Sequence, residues 1–226
     1  MANVNQLFNE IRRQARGVPN PTMAEAILRA ARTFCQQTQL IRRDVQFNTQ
    51  ANVHQYPLTF ANVISGLNPS EQVIDFRHWQ ITQPGPNGTS SIVPGYVPYG
   101  TTINPNWAPN QPWNLSYIIE GIAQLDPIPD QAYLVQIECI TQPAKGSVWI
   151  PDELMAKFDQ AIGYGALEWL HGMDGNPWYS EQKAAKNRIL FNDEIARGRR
   201  LAMYDNTPGP RAWMRRPFAR KTRWRY

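Results

Sequence analysis

The chain has 226 residues, 42% of them hydrophobic and 18% charged, which is enough apolar material for a real core and excludes wholesale disorder. Its net charge of +5 is unevenly placed: residues 207–226 hold Arg211, Arg215, Arg216, Arg220, Lys221, Arg223 and Arg225 and no acidic residue, so residues 1–206 carry −2. No apolar run reaches the roughly 18 residues of a membrane span, and no basic-then-apolar leader opens the chain. The two cysteines, Cys35 and Cys139, are too far apart for a metal motif and read as buried thiols of a protein made in a reducing cytosol.

Taken in order, residues 4–16 are expected to form a first helix, with Val4, Leu7, Phe8, Ile11 and Ala15 on one face and Asn3 as N-cap. Gly17, Pro19 and Pro21 break it. Thr22 and Glu25 have capping-box spacing, so a second helix is expected from there to about Ile41, carrying Met23, Ile27, Leu28, Ala31, Phe34 and Cys35 as an antiparallel partner of the first.

From Asp44 onward the period changes. Strands are expected at 45–48, 72–80, 116–123 and 131–141, where alternation such as Ile74, Phe76 and His78 against Asp75, Arg77 and Trp79 marks two faces. The segment 82–114 is rich in proline and glycine, so neither a regular helix nor a central strand should persist there. Its Tyr96, Tyr99, Trp107 and Trp113 point to a loop that packs on neighbouring molecules.

Helical period returns at Pro151, whose missing N–H suits a first turn, and Asp152 and Glu153 complement the positive helix end. Leu154, Phe158, Ile162, Ala166 and Trp169 form the stripe, with Gly163 and Gly165 allowing close helix contact. A last helix is expected to be capped by Ser180 and to run to about Tyr204, with Ala184, Ala185, Ile189, Phe191, Ile195 and Leu201 as its apolar positions. The expected class is α+β: a helical bundle from N- and C-terminal helices (1–43 and 149–206), an inserted β-rich subdomain (44–148) and an extended C-terminal arm (207–226).

Catalytic signatures are missing from the sequence. It has no phosphate loop, no dinucleotide fingerprint, no HExxH, no EF-hand and no GxSxG. His171 with Asp174 reads as a cation at a helix end rather than a metal pair, and Asp126 with Asp130 as turn residues flanking Pro127 and Pro129. No cofactor and no enzymatic activity are expected. The informative feature is the terminal segment, where the arginines and Lys221 interleave with Trp213, Phe218, Trp224 and Tyr226. Arginine forks suit carboxylates and phosphates, and aromatic side chains anchor interfaces at low entropic cost, so the segment should become ordered on a partner. Docking on a protein and gripping nucleic acid are both open.

Several stretches resemble head-to-tail adaptor (connector) proteins of tailed bacteriophages, of the short-tailed type. They are the helix pair with Ala24, Glu25, Ala26 and Ile27 followed by Ala31, Phe34 and Cys35; the strand 118–122; the Pro127–Pro129 turn; and the strand 133–140. The most specific block holds Ile150, Pro151 and Asp152, then 161–166, then Asn176, Pro177 and Trp178, and a final helix with Ala184 and Phe191. Together they cover about half the chain, in the family's order. The resemblance implies a structural virion protein at the head–tail junction, assembled in the host cytoplasm. It implies a homo-oligomeric ring, a dodecamer in such adaptors, that docks on the portal and presents a platform for a tail or nozzle protein. Genome DNA passes the channel during packaging and ejection without sequence-specific binding, and no membrane is involved. By position, Arg211, Trp213, Arg215, Arg216, Phe218, Arg220, Lys221, Arg223, Trp224, Arg225 and Tyr226 would be the portal-docking arm. The long 82–114 segment departs from the family's shorter insertions and would clasp an adjacent subunit or touch a tail component.

Overall fold

The computed structural model describes residues 2–84, 90–95, 110–112, 114–119 and 121–205. The chain is mixed α and β. Ala2–Asn3 (β1) leads through a 3-10 turn at Val4–Leu7 into α1, Phe8–Gln14, and then α2, Asn20–Thr38. The β part comprises Arg42–Asn48 (β2), Gln55–Pro57 (β3), Glu71–Pro84 (β4), Ser90–Gly95 (β5), Asn114–Ile119 (β6), Ile122–Asp126 (β7) and Leu134–Pro143 (β8). Trp149–Ile150 (β9) pairs back with β1, and α3 (Asp152–His171) and α4 (Glu181–Asp205) follow. Among the described residues no helix is long and apolar enough to cross a membrane.

Local chemistry explains where these elements start and stop. The Asn3 side chain accepts the Asn5 N–H at 2.9 Å, as expected of the cap. The turn it opens is 3-10 rather than α. The expected capping box at Thr22 does not start α2. The helix begins two residues earlier, with the extended Pro19 as cap residue and the Met23 N–H donating to the Pro19 carbonyl at 3.0 Å. Pro21 sits in the first turn, where its lack of an N–H costs nothing. The left-handed Gln39 (φ 52°) then ends α2 before Ile41. The expected strand 116–123 is a hairpin instead, because Gly121 takes φ 82° and turns the chain back on itself. Within 82–114, Ser90–Gly95 pairs with β4 from Trp79 to Pro84 as an edge strand, the position in which Pro94 loses no ladder bond. The short strand β3 was not legible as one.

Among the described residues two hydrophobic clusters result. One joins Leu7, Ile11, Ile27, Phe34, Leu154, Ile162 and Phe191, drawn from both ends of the chain. Phe34 is fully buried there, its ring centroid 4.8 Å from Phe158 and 6.4 Å from Phe191. The second is shared by a four-stranded sheet, β2-β8-β4-β5, and a three-stranded sheet, β3-β7-β6. Val45, Ile81, Val135 and Ile137 of the first sheet belong to it with Leu115, Ala123 and Leu125 of the second, and Phe47 meets Tyr56 at 5.1 Å.

Helix α4 packs unlike its sequence pattern. Its buried positions are Asn187, Phe191, Ile195, Gly198 and Ala202, while Ala185 is exposed and Ile189 and Leu201 are 64% and 37% exposed. Glycines at two contacts let it lie close to α2 and α3. A Cβ at Gly165 would stand 2.9 Å from Ala30 and from the Phe191 ring, and one at Gly198 would stand 2.7 Å from Thr38. Gly163, expected to serve the same purpose, meets only Glu10 at 3.9 Å. Gly198→Val should therefore overpack the α2–α4 contact and cost about 1–3 kcal/mol, read from the urea midpoint, while Gly163→Ala stays near neutral.

Candidate functional site

The predicted docking residues Arg211, Trp213, Arg215, Arg216, Phe218, Arg220, Lys221, Arg223, Trp224, Arg225 and Tyr226 lie outside the described residues, as do Tyr96, Tyr99, Trp107 and Trp113. What the structure does describe is the root from which the arm leaves. In the last turns of α4, Arg42 Nη2 donates to the Ala202 carbonyl at 2.9 Å. One turn earlier, Arg199 donates to the Gln37 carbonyl (2.8 Å) and side-chain oxygen (3.2 Å) at the end of α2. Carbonyls in a helix's last turn lack intrahelical donors and carry the negative end of its dipole, so Arg42 suits that place on both counts. The root is thus tied to α2 and β2.

Beside Arg42, Arg43 joins three elements. Its Nε and Nη2 meet both oxygens of Glu71 at 3.0 and 2.9 Å, and its Nη1 and Nη2 meet both of Glu153 at 3.1 and 3.0 Å. The Glu71 side chain is fully buried and that of Glu153 mostly exposed. Burial alone would lower the Arg43 pKa, but hydrogen bonds and charge from Glu71 and Glu153 outweigh it and hold the guanidinium more firmly charged than usual. Further polar ties cross between the helices and the sheet. Arg32 donates to the carbonyls of Pro143 (3.0 Å) and Ala144 (2.7 Å), Gln36 bonds Gln142 (2.9 Å), and Arg77 bonds Gln39 (2.7 Å). Sequence reading missed all of these. The only local signal was the paired arginine at 42–43.

The residues considered for catalysis have structural employment. Asp130 accepts the Tyr133 hydroxyl, and Asp126 sits at the end of β7 before a cis peptide to Pro127, its carboxyl held above the usual range by burial. His171 is buried in the last turn of α3. Its Nδ1 lies 2.7 Å from the Trp178 carbonyl, which can only accept, so that nitrogen carries the proton. Asp174 accepts the Gly175 N–H instead. Among the described residues no three metal-ligating side chains are placed to hold an ion. A pocket of about 290 Å³ between β2 and β3 is lined by Phe47, Asn48, Gln50, Gln55 and Tyr56 among others, and its Tyr56 hydroxyl already donates to the Val53 carbonyl and accepts the Gln50 N–H.

Both thiols are closed off. Burial, with a contribution from Glu71, pushes Cys35 up to about 12, and burial with the charges of Asp44, Glu138 and Asp75 raises Cys139 as well. Neither should react with iodoacetamide in the folded protein at pH 8, and both should react in urea. The sign of the linkage follows. The folded thiols hold their protons beyond the pH at which unfolded ones ionise, so their contribution to stability is complete below that pH and declines as pH rises through the folded value.

The outer face of the four-stranded sheet is polar. Glu138 of β8 stands opposite Asp44 of β2 and His78 of β4, and Gln136 stands opposite Gln46 and Gln80. Asp44, His78, Gln80, Gln136 and Glu138 line a shallow depression of about 190 Å³. Elsewhere on the surface, α4 presents Ile189 and Met203 at 64% and 70% exposure. Set against protein-family models and curated proteins, the chain matches none.

Proposed function

We propose that the chain is a structural virion protein, a ring-forming head-to-tail adaptor that docks on the portal through residues 207–226 and offers a platform to the tail. The observation that carries this reading is the division of charge. A body of net −2 ends in a helix whose last turns are tied down by Arg42 and Arg199, and everything beyond it is basic and aromatic with no acidic residue. A fixed root with a terminal segment of this composition suits an arm that anchors to another protein, and copies in a ring engage together, which multiplies affinity. In this reading the helices of the two chain ends form the bundle that carries the ring, with the β part inserted between them. The apolar Ile189 and Met203 on α4 supply the kind of surface that a repeated heterologous contact covers. A mildly negative body lets DNA pass without gripping its phosphates. Enzymatic activity and cofactors play no part in the proposal.

The same arginine and aromatic composition supports a second reading, nucleic-acid binding by the arm. It requires affinity for DNA that falls steeply with salt. Electron microscopy of the purified protein, alone and mixed with its portal, tests the first reading. Closed rings that stack on the portal are expected, and a monomer that ignores the portal would overturn it.

A further inference from the structure

The arm leaves the described structure beside the outer face of the four-stranded sheet, where Asp44 and His78 are exposed. The Ala202 carbonyl rests on Arg42, Arg42 Nη1 lies 3.5 Å from Glu138, and Glu138 is directly opposite Asp44 across β2 and β8. Gln46, two residues from Asp44, exchanges its backbone bonds with Ile64 and Ser65 rather than with β8. Asp44 and Glu138 therefore share the closely spaced, non-hydrogen-bonded kind of antiparallel pair, in which like charges repel most. Arg42 reaches only one of them. Asp44 is exposed, and its carboxylate has no hydrogen bond or ion pair among the described residues. The depression holding both carboxylates is flanked by His78 and by the carboxamides of Gln80 and Gln136, which are bonded to each other at 2.9 Å.

The missing complement lies in the same chain. Residues 207–226 bring seven cations and no anion, beginning immediately after the helix that Arg42 pins. An extended chain spans about 3.3–3.6 Å per residue, so even the first arginines reach well past the end of α4. We propose that in the free subunit residues 207–226 lie back across the outer face of the β2–β8–β4 sheet, their cations on Asp44 and Glu138, and leave it when a partner takes the arm. Exposed ion pairs are individually weak and screened by salt, so such a contact holds the arm yet yields to a stronger acceptor. While it holds, the basic arm is kept from non-specific attachment to host nucleic acid. The proposal does not depend on which partner finally receives the arm.

The test uses the full-length protein at low concentration. Lys221 is the arm's only lysine, so a zero-length carbodiimide coupling reports which carboxylate its amine touches. Coupling to Asp44 or Glu138 is expected, within one chain when ¹⁵N-labelled and unlabelled protein are mixed. Trypsin should cut after Arg211 and Arg215 about tenfold faster in the near-isosteric variant D44N/E138Q, and in about 0.5 M salt, than in the wild type at low salt. Circular dichroism of the variant keeps a folding defect from being mistaken for arm release. Lys221 coupled to neither carboxylate, coupled only between labelled and unlabelled chains, or an arm cut equally fast in wild type and variant would each overturn the proposal. None of these results touches portal docking, which is read separately from binding to the portal itself.

Discussion

Replacing Arg43 by methionine should lower the unfolding free energy by about 3–5 kcal/mol, the cost of leaving a buried carboxylate without its partner. The side chain left behind is Glu71, fully buried at the start of β4 and held by two bonds from Arg43. The expectation is asymmetric. The double variant R43M/E71M removes both charges and should recover most of the loss, because desolvating the pair offsets much of its mutual attraction. Glu153→Gln should cost far less, since that carboxylate is mostly in water. Urea unfolding of the wild type, R43M, E71M and R43M/E71M closes the cycle, with Glu153→Gln measured beside them. If R43M were as stable as the wild type, the polar junction would not hold helices and sheet together.

Phe34→Ala should be about as severe, roughly 3–5 kcal/mol, for a different reason. Phe34 is fully buried beside the rings of Phe158 and Phe191, and a Cβ at Gly198 would lie 2.9 Å from its ring. The helices around it come from both ends of the chain and already approach as closely as Gly165 and Gly198 permit, so the site cannot collapse onto a smaller side chain. The transfer term and the cavity term then add in full. Ile189→Ala, 64% exposed on the same helix α4, should stay within about 0.5 kcal/mol of the wild type in the same titration.

These contrasts show what the sequence made legible and what it did not. Leu154, Phe158, Ile162 and Ala166 recur at helical spacing and are all buried, so α3 was readable from period alone, as were most strands of the four-stranded sheet. Helix α4 was readable as a helix but not in its orientation. Its seam uses Asn187 and Gly198, which no hydropathy pattern marks, and it leaves Ile189 and Met203 outside. The hairpin at Gly121 was hidden because the residues on both sides are equally β-prone. Arg43 was invisible because its partners lie 28 and 110 positions away. Candidate function was legible in composition alone: the arm and the aromatic residues of the long insertion lie outside the described residues, and the described body contributes the root, the exposed α4 face and the polar sheet.

The measurement that bears most directly on the whole account is portal binding by the full-length protein and by a variant ending at residue 206. The account predicts that the shortened protein keeps the wild-type circular dichroism and urea midpoint while its binding to the portal disappears. A shortened protein that binds the portal as tightly as the full chain would contradict it.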